Sequence, residues 1–293
     1  MEEPESLDAI LRDSHATIVP GVHDALSARI AARAGARALY MTGFGVAGAG
    51  FGVPDIGLVS ASDMIARVGV VAGACESTPL IADGDNGHGG PLNAAQLTRA
   101  YERAGAAAIQ LEDQVLPKRC GHMEDKEVVS RTEAAQKIRA AAQARTSKAF
   151  KIVARTDARA THGLDEALAR GDDFLKAGAD VLFIEAPRSE EELRRVAETF
   201  KGVALIVNLV EDGKTPLLSV TELEALGYRI VLYPISALLG ITRRLEEIYD
   251  LLLAGNRKSL DASRSSFTHY NEIMKLPELL AVTKALAGPN KGE

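Results

Sequence analysis

The residues best suited to chemistry lie in one short segment. Positions 118 to 122 read Lys-Arg-Cys-Gly-His, and they begin four positions after an acidic stretch, Leu-Glu-Asp-Gln, at 111 to 114. A thiol beside two cations and a histidine ionises more readily than an isolated cysteine, so Cys120 is a candidate for proton transfer next to a metal site. The alternative interpretation is a solvated basic loop with an incidental cysteine, because short motifs also occur by chance.

The composition allows a sizeable hydrophobic core. The chain has 293 residues, of which 46% are hydrophobic and 25% are charged, and its formal net charge is −6. Acidic and basic residues are interspersed without a Lys/Arg block, so no nucleic-acid partner is expected. A small molecule is the expected partner.

The cysteines and the N-terminus indicate a cytoplasmic location. Cys75 and Cys120 are too few for a disulfide framework and form no CxxC motif. The first residues are acidic where a secretory signal would be basic and then apolar. The chain has no run of about 18 apolar residues, so no membrane span is expected.

A weak repeat organises the chain: a helical segment, a small Ala-Gly-Ala-like turn, and a short apolar run that ends in polar or acidic residues. The repeat occurs at 34–43, 104–113, 177–186 and, loosely, 225–234, and further apolar runs at 17–24, 79–85, 150–157 and 202–208 bring the candidate strands to eight. Helical stretches separate them, for example at 92–105, 131–144 and 164–178. This alternation predicts parallel βα units, and eight of them favour an α/β fold, the closed (β/α)8 TIM barrel. An open doubly wound sheet is the alternative, but no GxGxxG follows the first strand.

Polar side chains collect at the predicted C-terminal ends of the strands, where a barrel builds its active site. They are Thr42, Asp83, Asp85, Glu112, Asp113, Arg155, Asp157, Glu185 and Asn208. Carboxylates from several strands on one rim repel each other unless a cation neutralises them, and the oxygen ligands on offer predict Mg²⁺. The Gly-rich segment from 43 to 57 is either a flexible loop or a backbone cradle for a carboxylate or phosphate.

Several motifs in order resemble those of the isocitrate lyase and phosphoenolpyruvate mutase superfamily, over residues 17 to 254. They are YMTG at 40–43, PDIG at 54–57, DGD at 83–85, LEDQ at 111–114, KRCGH at 118–122, ARTDA at 154–158, EAP at 185–187 and YPIS at 233–236. The resemblance implies a (β/α)8 barrel whose last helix is swapped between the subunits of a homodimer or homotetramer. It also implies Mg²⁺, or alternatively Mn²⁺, at the strand ends.

The resemblance assigns roles to individual residues. Asp85 is expected to ligate the metal directly, and Asp83, Glu112 and Asp55 are expected to hold it mainly through water. The expected substrate contacts are Tyr40, Thr42, Gly43, Gly121, Arg155, Glu185, Asn208 and Pro234. Cys120 is the expected general acid, on the family's mobile gating loop. The residues expected to screen charge there are Lys118, Arg119 and His122, and the alternative bases are Tyr40 and Glu124.

The residues around Cys120 narrow the expected reaction. In this superfamily the C–C lyases use the thiol, whereas phosphonomutases and simple oxaloacetate decarboxylases lack it. Methylisocitrate lyases usually carry an Arg five residues after the Pro of their YPIS-like motif, where it binds a third carboxylate, and here that position is Leu239. Residues 123–126 and 154–168 resemble 2,3-dimethylmalate lyases and oxaloacetate hydrolases instead. Asn86 and Asp125 stand where relatives usually have Thr and Gly.

The predicted function is Mg²⁺-dependent cleavage of the C2–C3 bond in a 2-hydroxy or 2-oxo dicarboxylate of the alkylmalate or oxaloacetate type. The products would be a 2-oxo acid and a carboxylate. The alternatives are a 2-methylisocitrate lyase, an oxaloacetate hydrolase or decarboxylase, and a non-catalytic carboxylate-binding barrel. Residues 1–255 are predicted to form the catalytic barrel, and residues 256–293 a helical tail with oligomer contacts.

Overall fold

Eight short strands form the centre of the structure, a computed structural model that describes residues 5–118, 126–262 and 264–286. The strands are β1 (Thr17–Val22), β2 (Leu39–Met41), β3 (Leu80–Asp83), β4 (Ala108–Glu112), β5 (Lys151–Thr156), β6 (Val181–Ile184), β7 (Ala204–Asn208) and β8 (Ile230–Tyr233). Neighbouring strands are parallel, and the pairing of β8 with β1 closes the sheet. The predicted (β/α)8 barrel is confirmed, and every strand lies within a predicted apolar run.

Helices precede, separate and follow the strands along the chain. They are α1 (Leu7–Arg12), α2 (Ala25–Arg33), α3 (Gly43–Gly45), α4 (Ala61–Ala74), α5 (Pro91–Arg103), α6 (Arg131–Ala144), α7 (Ala158–His162), α8 (Leu164–Ala177), α9 (Glu190–Thr199), α10 (Val220–Leu226), α11 (Ser236–Leu253), α12 (Arg257–Ala262), α13 (Phe267–Ile273) and α14 (Leu276–Leu286). The three helical stretches predicted above are confirmed as α5, α6 and α8. Ser130 begins α6 as an N-cap, because its hydroxyl accepts the backbone N–H of Glu133 at 3.2 Å.

Apolar side chains fill both faces of the sheet. One buried cluster lies inside the barrel and includes Val19, Ile81, Val153 and Ile206. It also includes Leu7 and Ile10 of α1, which therefore packs against the interior side chains. A second, larger cluster joins the outer face of the strands to the surrounding helices. Strands covered on both faces need continuous apolar runs, and this is why the strand sequences do not alternate with polar residues.

Residues 43–51 of the Gly-rich segment after β2 are helical, which contradicts the flexible-loop interpretation for this part, whereas residues 52–57 form no helix. The Thr42 hydroxyl accepts the backbone N–H of Gly45 at 3.3 Å and starts α3. A π-helix follows at Val46–Phe51 and ends at Gly52, which has a left-handed φ of 65°. Burial of Val46 anchors this stretch to the core, so the glycines do not leave it without structure. Short π-helices occur often at functional sites.

Contacts divide the chain into two compact units, residues 1–238 and 239–293. The first unit contains all eight strands. In the described part of the second unit, Ile273 is the one buried residue. The predicted division at residue 255 into catalytic barrel and oligomer tail stays a prediction. None of the described helices has both the length and the apolar character that a bilayer crossing requires.

Candidate active site

A cavity of about 60 Å³ lies at the C-terminal ends of the strands and is lined by most of the predicted site residues. The predicted residues that line it are Tyr40, Thr42, Asp55, Asp83, Glu112, Lys118, Arg155, Glu185, Asn208 and Pro234. Its apolar lining, which sequence reasoning missed, consists of Phe44, Phe183, Val210, Leu232 and Ile235. Gly43 and Asp85 contact side chains of this lining. The predictions on Cys120, Gly121, His122 and Glu124 fall outside the described residues.

Lys118 places its ammonium group between two of the predicted metal ligands. Its Nζ lies 2.5 Å from Asp55 Oδ1 and 2.5 Å from Asp85 Oδ1, and its side chain is only 4% exposed. Burial alone would lower the pKa of Lys118, but Asp85 and Asp55 outweigh it and hold that pKa well above its ordinary value. Lys118 is therefore a buried cation among carboxylates, and in this structure it neutralises part of their charge.

Asp83 holds together the backbone around it. Its Oδ1 accepts the N–H of Asp85 at 3.0 Å and the side-chain amide of Gln110 at 3.3 Å. Its Oδ2 accepts the N–H of Gly43 at 3.2 Å, and a Cβ atom on Gly43 would lie only 2.8 Å from that oxygen. Burial, followed by repulsion from Asp85, raises the pKa of Asp83 to about 6. The Gly43 amide, predicted to bind substrate, thus binds Asp83 here, and only glycine fits at this position.

Arg155 is a second buried cation that lines the cavity. Its Nε lies 2.9 Å from Asp157 Oδ2 and 3.3 Å from Glu112 Oε2, and the guanidinium carbon lies 5.1 Å from the centre of the Phe183 ring. Lys126 Nζ lies 2.6 Å from the same Asp157 carboxylate. These contacts fix the planar guanidinium in one orientation.

Two strand-end carboxylates support the site and do not line the cavity. Asp157 holds Arg155, as described above. Asp113 accepts the hydroxyl of Thr156 at 2.6 Å, the backbone N–H of Asp157 at 2.9 Å and the guanidinium of Arg170 at 3.0 Å. A position after a strand predicts that a residue lies at the rim, but it does not predict which way the side chain points.

Asn86 serves as a structural link where relatives usually have Thr. Its Oδ1 accepts the N–H of His88 at 3.1 Å, and its Nδ2 donates to the carbonyl of Gln114 at 3.3 Å. The buried Lys137 donates to the carbonyl of Asn86 at 3.2 Å. The segment that follows β3 is thereby tied to α6 and to the segment after β4.

Gln110 is a polar site residue that sequence reasoning missed. It lies in the middle of β4 and is fully buried, with hydrogen bonds to Tyr40 and Asp83. The available signal was one amide side chain inside the apolar run Ala-Ile-Gln-Leu-Glu at 108 to 112. Buried polar side chains need partners, so this Gln indicated a second polar group nearby.

The donor set fits a hard divalent cation. Among the predicted site residues that the structure describes, three buried side-chain oxygens have no hydrogen-bond donor: Asp85 Oδ1, whose contact with Lys118 is an ion pair only, Glu112 Oε1 and Asn208 Oδ1. Burial raises the pKa of Glu112 well above its ordinary value, although Arg155 opposes this. Carboxylate and amide oxygens suit Mg²⁺, which usually takes one or two carboxylates and retains water.

Comparison with known proteins gives the same assignment as the motifs. The model of the phosphoenolpyruvate phosphomutase family matches residues 7–251. The chain belongs to this family. It is 42% identical to the 2,3-dimethylmalate lyase of Eubacterium barkeri, over 96% of this chain and 97% of that protein. Phosphoenolpyruvate mutase and isocitrate lyase enzymes form one superfamily that is generally Mg²⁺-dependent.

Two further relatives belong to enzyme classes that the motifs indicate. The chain is 41% identical to the 2-methylisocitrate lyase of Bacillus subtilis (strain 168), over 80% of this chain and 76% of that protein. A solved structure of oxaloacetate acetylhydrolase in complex with 3,3-difluorooxalacetate has a TM-score of 0.91 and 33% identity, and the match covers 98% of each chain. The superfamily prediction is confirmed, and the chain is a carbon–carbon lyase of this type.

Proposed function

We propose that the chain cleaves the C2–C3 bond of a 2-hydroxy dicarboxylate of the alkylmalate type and releases a 2-oxo acid and a carboxylate. The arrangement of charge around one cavity carries this proposal. Carboxylates on Asp55, Asp83 and Asp85 lie together near Lys118, and the guanidinium of Arg155 lies at the same cavity. The three aspartates suit a metal ion that binds the 2-hydroxy carboxylate group of the substrate. Arg155 suits the second carboxylate of the substrate.

Mg²⁺ would be held directly by Asp85, and by Asp83, Glu112 and Asp55 through water. Mn²⁺ has similar ligand preferences and is the natural substitute. When bound, the metal supplies Lewis acidity at the C1 carboxylate and C2 oxygen. Each of these carboxylates is buried or lines the cavity, so each loses solvation that an ion would replace.

The remaining side chains bind and orient the substrate. Arg155 stabilises the negative charge that develops on the departing fragment. Glu185 and Asn208, whose carboxylate and amide lie 3.4 Å apart, form the opposite polar wall. Tyr40, Thr42 and Gly43 are the proposed contacts to one substrate carboxylate and the adjacent C2 oxygen. Gly121 and Pro234 are the proposed contacts to the rest of the substrate.

Proton transfer is assigned to the motif at 118 to 122. Cys120 would protonate the departing fragment as general acid, with Lys118 and His122 reducing the local negative charge. We expect Cys120→Ser to lower kcat by about 100-fold or more, the range typical for loss of a positioned general acid. Mg²⁺-dependent binding of pyruvate should persist, because none of the described cavity side chains is altered. Near-normal cleavage by Cys120→Ser would contradict this role.

The substrate class is tested by turnover of a panel of acids. Purified protein with MgCl₂ is assayed for 2-oxo acid release from 2,3-dimethylmalate, other alkylmalates, oxaloacetate and 2-methylisocitrate. Leu239 stands where methylisocitrate lyases place an Arg, so a third carboxylate would have no cationic partner at this position. We expect kcat/KM for the best dicarboxylate to exceed that for 2-methylisocitrate by about 100-fold or more.

The similarity to 2-methylisocitrate lyase makes that activity the second candidate. Leu239→Arg should reduce the difference between the two substrates, whereas Leu239→Met should not. Efficient turnover of 2-methylisocitrate by the unmodified chain, without turnover of any dicarboxylate, would overturn the alkylmalate assignment.

We further propose a cytoplasmic homodimer or homotetramer in which the last barrel helix is swapped. Large apolar side chains of α11, including Leu245, Tyr249 and Leu252, are 44%, 58% and 50% exposed in the single chain. Contiguous apolar surface of this kind usually marks a protein interface. The proposal of a cytoplasmic location rests on the two cysteines, which are too few for a disulfide framework.

A further inference from the structure

Three side chains inside the barrel form a continuous chain of hydrogen bonds. The hydroxyl of Tyr40 on β2 donates to Gln110 Oε1 on β4 at 3.0 Å, and Gln110 Nε2 donates to Asp83 Oδ1 on β3 at 3.3 Å. Gln110 is 0% exposed and Tyr40 is 3% exposed. Water therefore does not compete for the Gln110 amide, and its partners are set by the protein.

The direction of these hydrogen bonds is fixed by Asp83. Its Oδ1 also accepts the backbone N–H of Asp85 at 3.0 Å, so this oxygen serves as an acceptor. Gln110 must then turn its NH₂ group towards Asp83, because the reverse orientation would bring two acceptor oxygens together. The amide oxygen of Gln110 consequently faces Tyr40. Tyr40 has one hydroxyl proton, and Gln110 receives it.

Tyr40 also lines the cavity, and with its proton committed it can offer a ligand only a lone pair. We propose that Gln110 is a positioning residue that makes Tyr40 a hydrogen-bond acceptor, so that the site selects a C2 hydroxyl over a C2 carbonyl. This inference rests on the proposed function and specifies its substrate as a 2-hydroxy acid. A C2 hydroxyl donates to Tyr40, whereas a C2 carbonyl would place a second acceptor against it.

One consequence follows for the reaction. The 2-oxo acid product binds less well than the 2-hydroxy substrate, which assists product release.

The test compares two ligands that differ only at C2. Lactate, each enantiomer separately, and pyruvate have the same charge and nearly the same size, and isothermal titration calorimetry with saturating MgCl₂ gives both dissociation constants. In the unmodified protein, the Kd of pyruvate should exceed that of the better lactate enantiomer by about tenfold or more, since a mismatched acceptor pair forfeits one hydrogen bond. Gln110→Met should reduce this ratio below about threefold by strengthening pyruvate binding, because the Tyr40 hydroxyl is then free to rotate and donate.

Two further variants separate positioning from a general structural role. Tyr40→Phe should also lower the ratio, but by weakening lactate binding alone. Gln110→His should keep the ratio of the unmodified protein, because a neutral imidazole donates from one nitrogen to Asp83 and accepts from Tyr40 with the other. If Gln110→Met does not fold, the comparison of the unmodified protein with Tyr40→Phe and Gln110→His decides the question.

The outcomes distinguish this inference from the proposed function. The role of Gln110 would be overturned if Gln110→Met weakened the binding of lactate and pyruvate equally, or if their dissociation constants were nearly the same in the unmodified protein. Either result would leave the proposed lyase reaction in place. Failure of both ligands to bind the unmodified protein with Mg²⁺ would overturn the proposed site, and the inference with it.

Discussion

At the scale of single residues, Asp83 shows how strongly this site needs a cation. It accepts hydrogen bonds from the backbone N–H groups of Gly43 and Asp85 and from the side chain of Gln110. Burial and the nearby Asp85 nevertheless raise its pKa to about 6. Hydrogen bonds alone thus do not offset the loss of solvation and the repulsion between neighbouring carboxylates. A divalent cation beside Asp85 would relieve both.

The raised pKa of Asp83 predicts how metal binding depends on pH. Because this pKa moves from 3.8 to about 6, the folded protein retains a proton that the unfolded chain releases. The contribution of Asp83 to the free energy of unfolding is therefore present at about pH 4 and is lost as the pH rises through about 6. Mg²⁺ replaces that proton, so it should raise the melting temperature more at pH 8 than at pH 5. Calorimetry in EDTA and in MgCl₂ at both pH values measures the effect.

Asp83→Asn is the control for this experiment, because it removes one titrating group and should make the Mg²⁺ effect smaller and less dependent on pH. An equal Mg²⁺ effect at pH 5 and pH 8 in the unmodified protein would contradict the prediction.

Lys118 and a divalent cation should compete for the same carboxylates. Its ammonium lies 2.5 Å from both Asp55 and Asp85, so a metal ion bound there must displace it. We expect Lys118→Met to tighten Mn²⁺ binding by about tenfold or more in the absence of substrate, because a competing positive charge is removed. Electron paramagnetic resonance of free Mn²⁺ measures this affinity without catalysis.

Lys126→Met is the matched control for Lys118. Lys126 is also a buried lysine paired with a carboxylate, but its partner is Asp157. A general effect of removing positive charge would appear in both variants. If Lys126→Met tightened Mn²⁺ binding as much as Lys118→Met, direct competition by Lys118 would be wrong.

At the scale of elements, the register of the strands decides which side chains meet. Asp83 on β3 is paired with Gln110 on β4, and Glu112 on β4 is paired with Arg155 on β5. Paired residues on parallel neighbours point to the same face of a sheet, so each pair meets at the barrel interior or its rim. A shift by one residue would turn all four side chains to the other face.

The close approach of β1 to the end of β8 predicts a strict requirement for glycine at position 21. A Cβ atom on Gly21 would lie 1.9 Å from the carbonyl oxygen of Pro234, and this contact is with backbone. Gly21→Ala must therefore displace the segment that carries Pro234, a residue of the cavity wall. We expect the free energy of unfolding to fall by about 1–3 kcal/mol or more, as is typical of overpacking, together with a loss of activity. Urea unfolding and the turnover assay measure the two effects.

Gly48→Ala is the corresponding control within the π-helix. A Cβ atom on Gly48 would meet nothing within 4 Å, and its backbone does not require glycine. Stability should change little. Equal tolerance of alanine at both positions would contradict the packing argument for Gly21.

At the scale of the whole molecule, the two compact units differ in how they use apolar residues. The barrel unit buries large clusters of them on both faces of its sheet. In the described part of the second unit, large side chains such as Tyr249, Leu279 and Leu280 are 58%, 61% and 58% exposed. Exposure of this extent in a single chain is expected when another copy covers the surface.

If this apolar surface forms an interface, a polar substitution on it should lower the mass of the assembly in solution. Analytical ultracentrifugation of the unmodified protein should give a dimer or tetramer. Leu252→Glu on α11 should shift the population towards monomer, because a carboxylate buried in an interface without a partner is strongly destabilising. Arg243→Glu introduces the same side chain at an 84% exposed side-chain position of the same helix and should preserve the assembly. A monomeric unmodified protein would rule out the proposed oligomer.

The sequence by itself determined the barrel, the family and the set of polar residues at the rim. Each of these depends on local patterns. Apolar runs that alternate with amphipathic helices form parallel βα units, and all strands of such a barrel end at the same rim. Polar residues directly after a strand, such as Asp83, Glu112 and Arg155, therefore share one end of the barrel however the helices pack.

Only the tertiary structure decided which groups each of these residues contacts. Asp157 supports Arg155 from outside the cavity, Lys118 lies between two carboxylates, and the buried Gln110 joins Tyr40 to Asp83. The partners in these contacts are 2 to 70 positions apart in the chain. The contact between Arg155 and Asp157, two positions apart, was no easier to predict than the contact between Tyr40 and Gln110, 70 positions apart. The physical reason is that a hydrogen bond or ion pair requires agreement within a few tenths of an ångström, and strand register and side-chain packing set that distance.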